Sequence, residues 1–194
     1  MKTLVYLHGF RSSSQSRKAR LLGSALRTLN NDWEYITPDL SFDPDIAFTQ
    51  IETIIRRCVI ADLTLVGSSL GGFYALVCAE KYGCRAVLLN PSLSPFETLV
   101  DYVGAQTPLS GEGEGFDFTT NHLEILRRHD VQQLSSLAKY LVVVEMGDEL
   151  LNHEITLKRF AGATTIVVEG GNHDLASFPA CIPALFRHAG LTIA

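Results

Sequence analysis

The strongest chemical signal is the run Gly67-Ser68-Ser69-Leu70-Gly71-Gly72, which holds Ser69 in the spacing G-x-S-x-G. A strand that turns abruptly into a helix strains the residue at the turn, and flanking glycines let the chains pass closely. The serine hydroxyl then stands above a sheet edge, at the positive end of the following helix. A serine is a weak nucleophile until a base takes its proton. Of the six histidines, His173 is the best candidate, because Gly170-Gly171-Asn172-His173 follows directly on an apolar strand pattern. The base needs an acid to hold its tautomer, and Asp148 follows another strand pattern across Gly147. Glu145 and Glu149 flank Asp148, and either takes its place if the turn lies differently. The order nucleophile, acid, base is that of the α/β-hydrolase group.

An oxyanion needs two backbone donors. One is the N–H of Leu70, after the nucleophile; the other falls to Phe10, in the loop His8-Gly9-Phe10 after the first strand. His8, between a strand and a glycine, reads as shaping that loop rather than as a base. His122, His129, His153 and His188 lie in polar or helical stretches and read as surface residues. Their spacing matches no metal-ligand motif, so no metal is expected. Asp174 reads as a turn cap or a solvent-facing residue, and Ser68 as a capping or core hydroxyl.

These side chains require elements that bring them to one edge. Short apolar runs at Thr3–Leu7, Trp33–Thr37, Leu63–Val66, Ala86–Leu89, Leu141–Met146 and Thr165–Val168 read as six strands. Helical patterns at Ser16–Leu29, Ile46–Ile60, Gly71–Tyr82 and Ala180–His188 alternate with them. Continuously apolar strands between helices predict an α/β three-layer domain, a mainly parallel sheet covered on both faces. The helix after Ser69 is apolar all round, as an interior helix must be. One segment breaks the rhythm: about 50 residues from Pro91 to Lys139 exceed any ordinary loop. It carries helical patterns at Phe96–Val103 and Asn121–Leu137, and the expectation is a single domain over 1–194 with an excursion at 91–139 that covers the site.

Composition narrows the partners. With 16 Lys and Arg against 21 Asp and Glu, the formal net charge is −5, and no basic block is present. That balance argues against nucleic acid, whose binding needs many cationic contacts. Apolar residues make up 46% and charged residues 19% of the 194, which suits a well-filled core. No run reaches the length of a membrane span, and Thr3–Leu7 is too short for the apolar core of a signal peptide. Cys58, Cys78, Cys84 and Cys181 have no paired spacing and read as buried free thiols. A cytoplasmic location is expected.

The motifs Leu-His-Gly-Phe at 7–10, Gly-Ser-Ser-Leu-Gly-Gly at 67–72, Asn-Pro at 90–91, Gly-Asp-Glu at 147–149 and Glu-Gly-Gly-Asn-His at 169–173 resemble the small bacterial YqiA-type esterases. These form a compact branch of the α/β-hydrolase superfamily, and the likeness spans the chain. It implies a carboxylesterase for short acyl chains without a cofactor, with nucleophile Ser69, acid Asp148 and base His173. Acyl thioesters are the alternative substrate class, and a hydrolase-like scaffold that only binds is the remaining one. In many larger hydrolases the acid lies about three residues past the glycine that ends its strand, whereas Asp148 follows Gly147 at once. Phe96, Leu99 and Tyr102 of the long segment are expected to line the acyl pocket, and Arg11 is placed to meet an anionic leaving group or solvent.

Overall fold

The structure, a computed structural model, describes residues 1–29, 33–111 and 113–191. In chain order the strands are β1 (Lys2–Leu7), β2 (Trp33–Ile36), β3 (Leu63–Ser68), β4 (Arg85–Leu89), β5 (Gly104–Gln106), β6 (Phe116–Phe118), β7 (Tyr140–Glu145) and β8 (Thr164–Val168). The helices are α1 (Arg17–Leu26), α2 (Pro44–Ile55), α3 (Leu70–Tyr82), α4 (Pro95–Thr98), α5 (Thr120–Arg128), α6 (His153–Arg159) and α7 (Phe178–His188). Six strands form one sheet in the order β2-β1-β3-β4-β7-β8, every pair parallel. All six therefore end at the same edge.

The period of two in a strand explains the three layers. Val5 and Leu7 of β1 join Leu63 and Leu65 of β3 and Val142 and Val144 of β7 in a core shared with α2 and α3. Their neighbours Leu4, Tyr6, Val66, Leu141 and Val143 face the other way, onto α1 and α7. Each face needs its own helical cover, and α3 lies so deep that Leu70 through Ala79 are all buried. Its entry is permitted by glycine. A Cβ at Gly71 would collide with the Leu7 carbonyl at the end of β1, and one at Gly67 would collide with Gly71.

Helix ends follow local chemistry. Ser16 caps α1 by accepting the Ala19 N–H, and Asp43 accepts from Asp45 and Ile46 at the start of α2, with Pro44 in its first turn. Gly83, with φ +76°, closes α3 in the left-handed region.

The excursion differs most from the sequence expectation. The pattern at Phe96–Val103 resolves into the four-residue α4 and a 3-10 turn, and α5 stops at Arg128 rather than Leu137. Beyond α5, Asp130, Ser135 and Ser136 favour turns over a helix interior, and Val131, Leu134 and Leu137 pack against the core from an irregular segment. Between α4 and α5, β5 and β6 pair antiparallel as a small hairpin that three-residue strands did not announce. Nor did α6, whose only fully buried residue is Thr156. β8 departs from the expected cover on both faces: it is an edge strand, and Val167 is 45% exposed. His122 is a further correction, since it is buried and completes a capping box with Thr119 at the start of α5. Cys58 is half-buried, Cys78, Cys84 and Cys181 are buried, and all four are free thiols.

Candidate active site

Ser69 stands between β3 and α3 with φ +55° and ψ −120°. A non-glycine residue there costs about 1–3 kcal/mol and persists only where its surroundings hold it. They do: the Ser69 N–H donates to the Leu89 carbonyl at 3.1 Å, while its own carbonyl accepts from Gly72 at 2.9 Å and Ser92 at 3.1 Å. The strained turn leaves the hydroxyl free to face His173, whose Nε2 lies 3.0 Å from Ser69 Oγ.

The other ring nitrogen faces Asp148. His173 Nδ1 is 2.8 Å from Oδ2 and 3.0 Å from Oδ1, and the Asp148 side chain is only 2% exposed. Burial alone would raise this carboxyl. Hydrogen bonds from His173 and from the Leu151 and Leu150 amides prevail, so it sits below the usual carboxylate range. An ionised carboxylate only accepts, so Nδ1 must carry the proton. In the neutral ring Nε2 is then the acceptor for the Ser69 hydroxyl. The structure thus brings Ser69, His173 and Asp148, from the ends of β3, β8 and β7, into one hydrogen-bonded chain.

The two flanking acids are used differently. Glu149 accepts the His173 backbone N–H at 2.9 Å. Glu145, fully buried, accepts the Asn172 and Ser177 amides at 2.6 Å and 2.7 Å. Asn90 braces the same loop from beneath: its amide donates to the Asn172 carbonyl at 3.1 Å, and its Oδ1 accepts from Glu145 N at 2.9 Å. Gly171 is obligatory here, because φ is +76° and a Cβ would strike the Glu145 carboxylate. This brace escaped sequence reasoning. Asn90-Pro91 read only as a strand end, and nothing in the spacing distinguishes a carboxylate that holds amides from one that faces a ring.

Across the site, Gly9 passes so near the nucleophile that a Cβ on it would lie 3.3 Å from Ser69 Cβ. Phe10 is fixed by edge contacts to Tyr102, Phe116 and Phe118 at centroid distances of 5.7, 5.9 and 5.0 Å. His8 is buried and committed at both nitrogens: Nδ1 donates to the Gly9 carbonyl and Nε2 accepts from Leu40 N–H, each at 2.9 Å. Burial lowers its pKa, and with no free nitrogen it ties two loops together. Leu70 opens α3, so its amide is one of the first-turn donors that a helix leaves without an internal partner.

Residues 3–189 match the uncharacterised protein family UPF0227. The chain belongs to that family. A UPF0227 protein of Serratia proteamaculans (strain 568) is 24% identical over 163 residues, covering 79% of each chain. Est1E from Butyrivibrio proteoclasticus, solved with ferulic acid bound, is similar in structure with a TM-score of 0.74 at 14% identity, over 96% of this chain and 87% of that one. Mouse alpha/beta hydrolase domain-containing protein 10 gives 0.72 at 15% identity, over 95% and 88%. Identities this low speak for the fold, and the fold is the α/β-hydrolase fold, trimmed to six parallel strands.

In this UPF0227 chain a cavity of about 380 Å³ opens over Ser69 and His173. The excursion supplies Leu99, Tyr102 and Leu109 to its wall, whereas Phe96 takes no part. Phe96 is instead buried in the core, its ring 5.0 Å from the Arg127 guanidinium. Arg11 is not loose in solvent: its Nε donates to the Thr107 carbonyl at 2.6 Å, and its own carbonyl accepts from Leu109 N at 2.8 Å. These bonds tie the Phe10 loop to the excursion. Asp174 accepts from Lys18 Nζ at 3.0 Å, so it does more than face water. Among the described residues no cluster suits a metal ion, and no helix is long and apolar enough to cross a membrane.

The Glu145 brace carries a pH signature. Burial would raise its pKa, but the hydrogen bonds from Ser177 and Asn172 outweigh that and lower it from its ordinary 4.5. Just below pH 4.5 the unfolded chain therefore binds the proton and the native one does not. Stability is complete above that pH and is lost as pH falls through the lowered native value. Glu145→Gln should be less stable at neutral pH, with a flatter loss of stability in acid, read from urea midpoints across pH 3–7 as an approximate window. Equal slopes for the two proteins would contradict the brace.

Proposed function

We propose that this protein is a serine carboxylesterase that hydrolyses short-chain acyl esters through a covalent acyl-enzyme. The observation that carries the reading is the chain from Ser69 Oγ to His173 Nε2 at 3.0 Å and from Nδ1 to Asp148 at 2.8 Å. Ser69 Oγ attacks the acyl carbon as its proton passes to His173 Nε2, and the carbonyl oxygen becomes an oxyanion. The Leu70 and Phe10 amides are the proposed donors to that charge. Collapse of the tetrahedral species breaks the bond to the leaving oxygen, which takes the proton from Nε2. Water then attacks the acyl carbon, gives a proton to Nε2, and the acid departs as Ser69 regains its hydrogen. Asp148, ionised and buried, keeps the ring in the tautomer each step requires. Support also comes from Est1E, which was solved holding ferulic acid, a carboxylic acid of the kind that ester hydrolysis releases.

A covalent intermediate has a kinetic mark that does not depend on its accumulating. With methanol present, p-nitrophenyl butyrate and phenyl butyrate should give the same ratio of methyl butyrate to butyric acid, because both pass through one acyl-enzyme. A ratio that changes with the leaving group, or no hydrolysis of either ester, would overturn the reading.

A further inference from the structure

The cavity over Ser69 is divided by chemistry. Leu99, Tyr102 and Leu109 make one part of its wall apolar, while Arg17 and Lys18 bring two cations to another beside Asp174; Arg11 and Glu149 also line the cavity. Lys18 Nζ donates to the Asp174 carbonyl at 2.8 Å and to its carboxylate at 3.0 Å, and Arg17 reaches the same carboxylate at 3.7 Å. One carboxylate, 65% exposed, is thus shared between two cations, one of them only 9% exposed. Lys139 is the contrast within this chain. It is 11% exposed, and its partner Glu80, at 3.1 Å, is 13% exposed, a pair buried together away from the cavity.

The placement on α1 is also electrostatically unfavourable. A helix N-terminus favours acidic residues, yet the first turn of α1 has none and begins with Arg17 and Lys18. Cations kept at the positive end of a helix, facing a cavity and sharing the one carboxylate of Asp174, suit an anion that arrives with the substrate.

We infer that Arg17 and Lys18 form an anion subsite for the leaving half of the substrate, selecting esters whose alcohol carries a carboxylate or a phosphate. This rests on the serine-esterase reading. The side follows from the mechanism: His173 must hand its proton to the leaving oxygen, and Asp174, which holds Lys18, is the next residue in the chain. The apolar wall is then left for the acyl chain.

The test compares kcat/KM for three butyrate esters: 4-carboxyphenyl, 4-(phosphonomethyl)phenyl and the neutral 4-carbamoylphenyl. The anionic esters should be preferred over the neutral one by about tenfold or more at low salt, the preference shrinking as ionic strength rises. The larger of the two anionic ratios names the group the site takes. In Arg17→Gln, a substitution of a half-exposed side chain, the preference should fall by about threefold to tenfold, and in Lys18→Met by more. Hydrolysis of all three esters without preference, or a preference that neither variant moves, would overturn the subsite alone. Failure to hydrolyse any of them would overturn the esterase reading with it.

Discussion

His173→Ala should lower kcat for p-nitrophenyl butyrate by about 10⁴-fold or more, with KM changed far less. The imidazole stands 3.0 Å from Ser69 Oγ, placed to take its proton. Its contribution arises as the Oγ–carbon bond forms, so the loss falls on turnover rather than on binding. The loop itself should survive, because Glu149, Glu145 and Asn90 hold the backbone of residues 172–173 and not the ring. Steady-state kinetics on a variant with an unaltered urea midpoint checks this. A loss below about tenfold would show that another base serves.

Asp148→Asn should cost about 10³–10⁴-fold in kcat while leaving the site nearly intact in shape. A carboxamide can turn its N–H₂ toward Nδ1, which places the ring proton on Nε2 and removes the acceptor that Ser69 requires. The carboxylate also ceases to stabilise the imidazolium. The neighbouring acids make the comparison decisive, since both are close in sequence and contact the same loop. Glu149→Gln keeps an oxygen to accept the His173 N–H and loses only its charge, so it should cost less than about tenfold. If Glu149→Gln or Glu145→Gln abolished turnover while Asp148→Asn did not, the acid would have to be reassigned.

The frame was legible because each of its signals is local. Six short apolar runs, read with the all-apolar helix after Ser69, lead directly to a parallel sheet with buried faces. The ends of β3, β7 and β8 then follow as one edge. Where Asp148, Glu145 and Glu149 point was not legible, because it depends on how a five-residue turn meets backbone amides about 25 residues later. The excursion was poorly legible for a related reason. β5 and β6 are too short to show a period, and Phe96 is drawn into the core by α5, an element remote in sequence. Lys18 was overlooked although it carried a signal: it lies four residues before Leu22, on the buried stripe of α1, where a lysine is out of place.

The nucleophile is open to direct chemical test. A fluorophosphonate phosphonylates a serine only where a base has made it reactive, and peptide mass mapping then locates the adduct. The expected result is a single adduct on Ser69, with p-nitrophenyl butyrate hydrolysis disappearing in step with labelling and no label on Ser69→Ala. An adduct on Ser68 or elsewhere, or undiminished hydrolysis by Ser69→Ala, would contradict it.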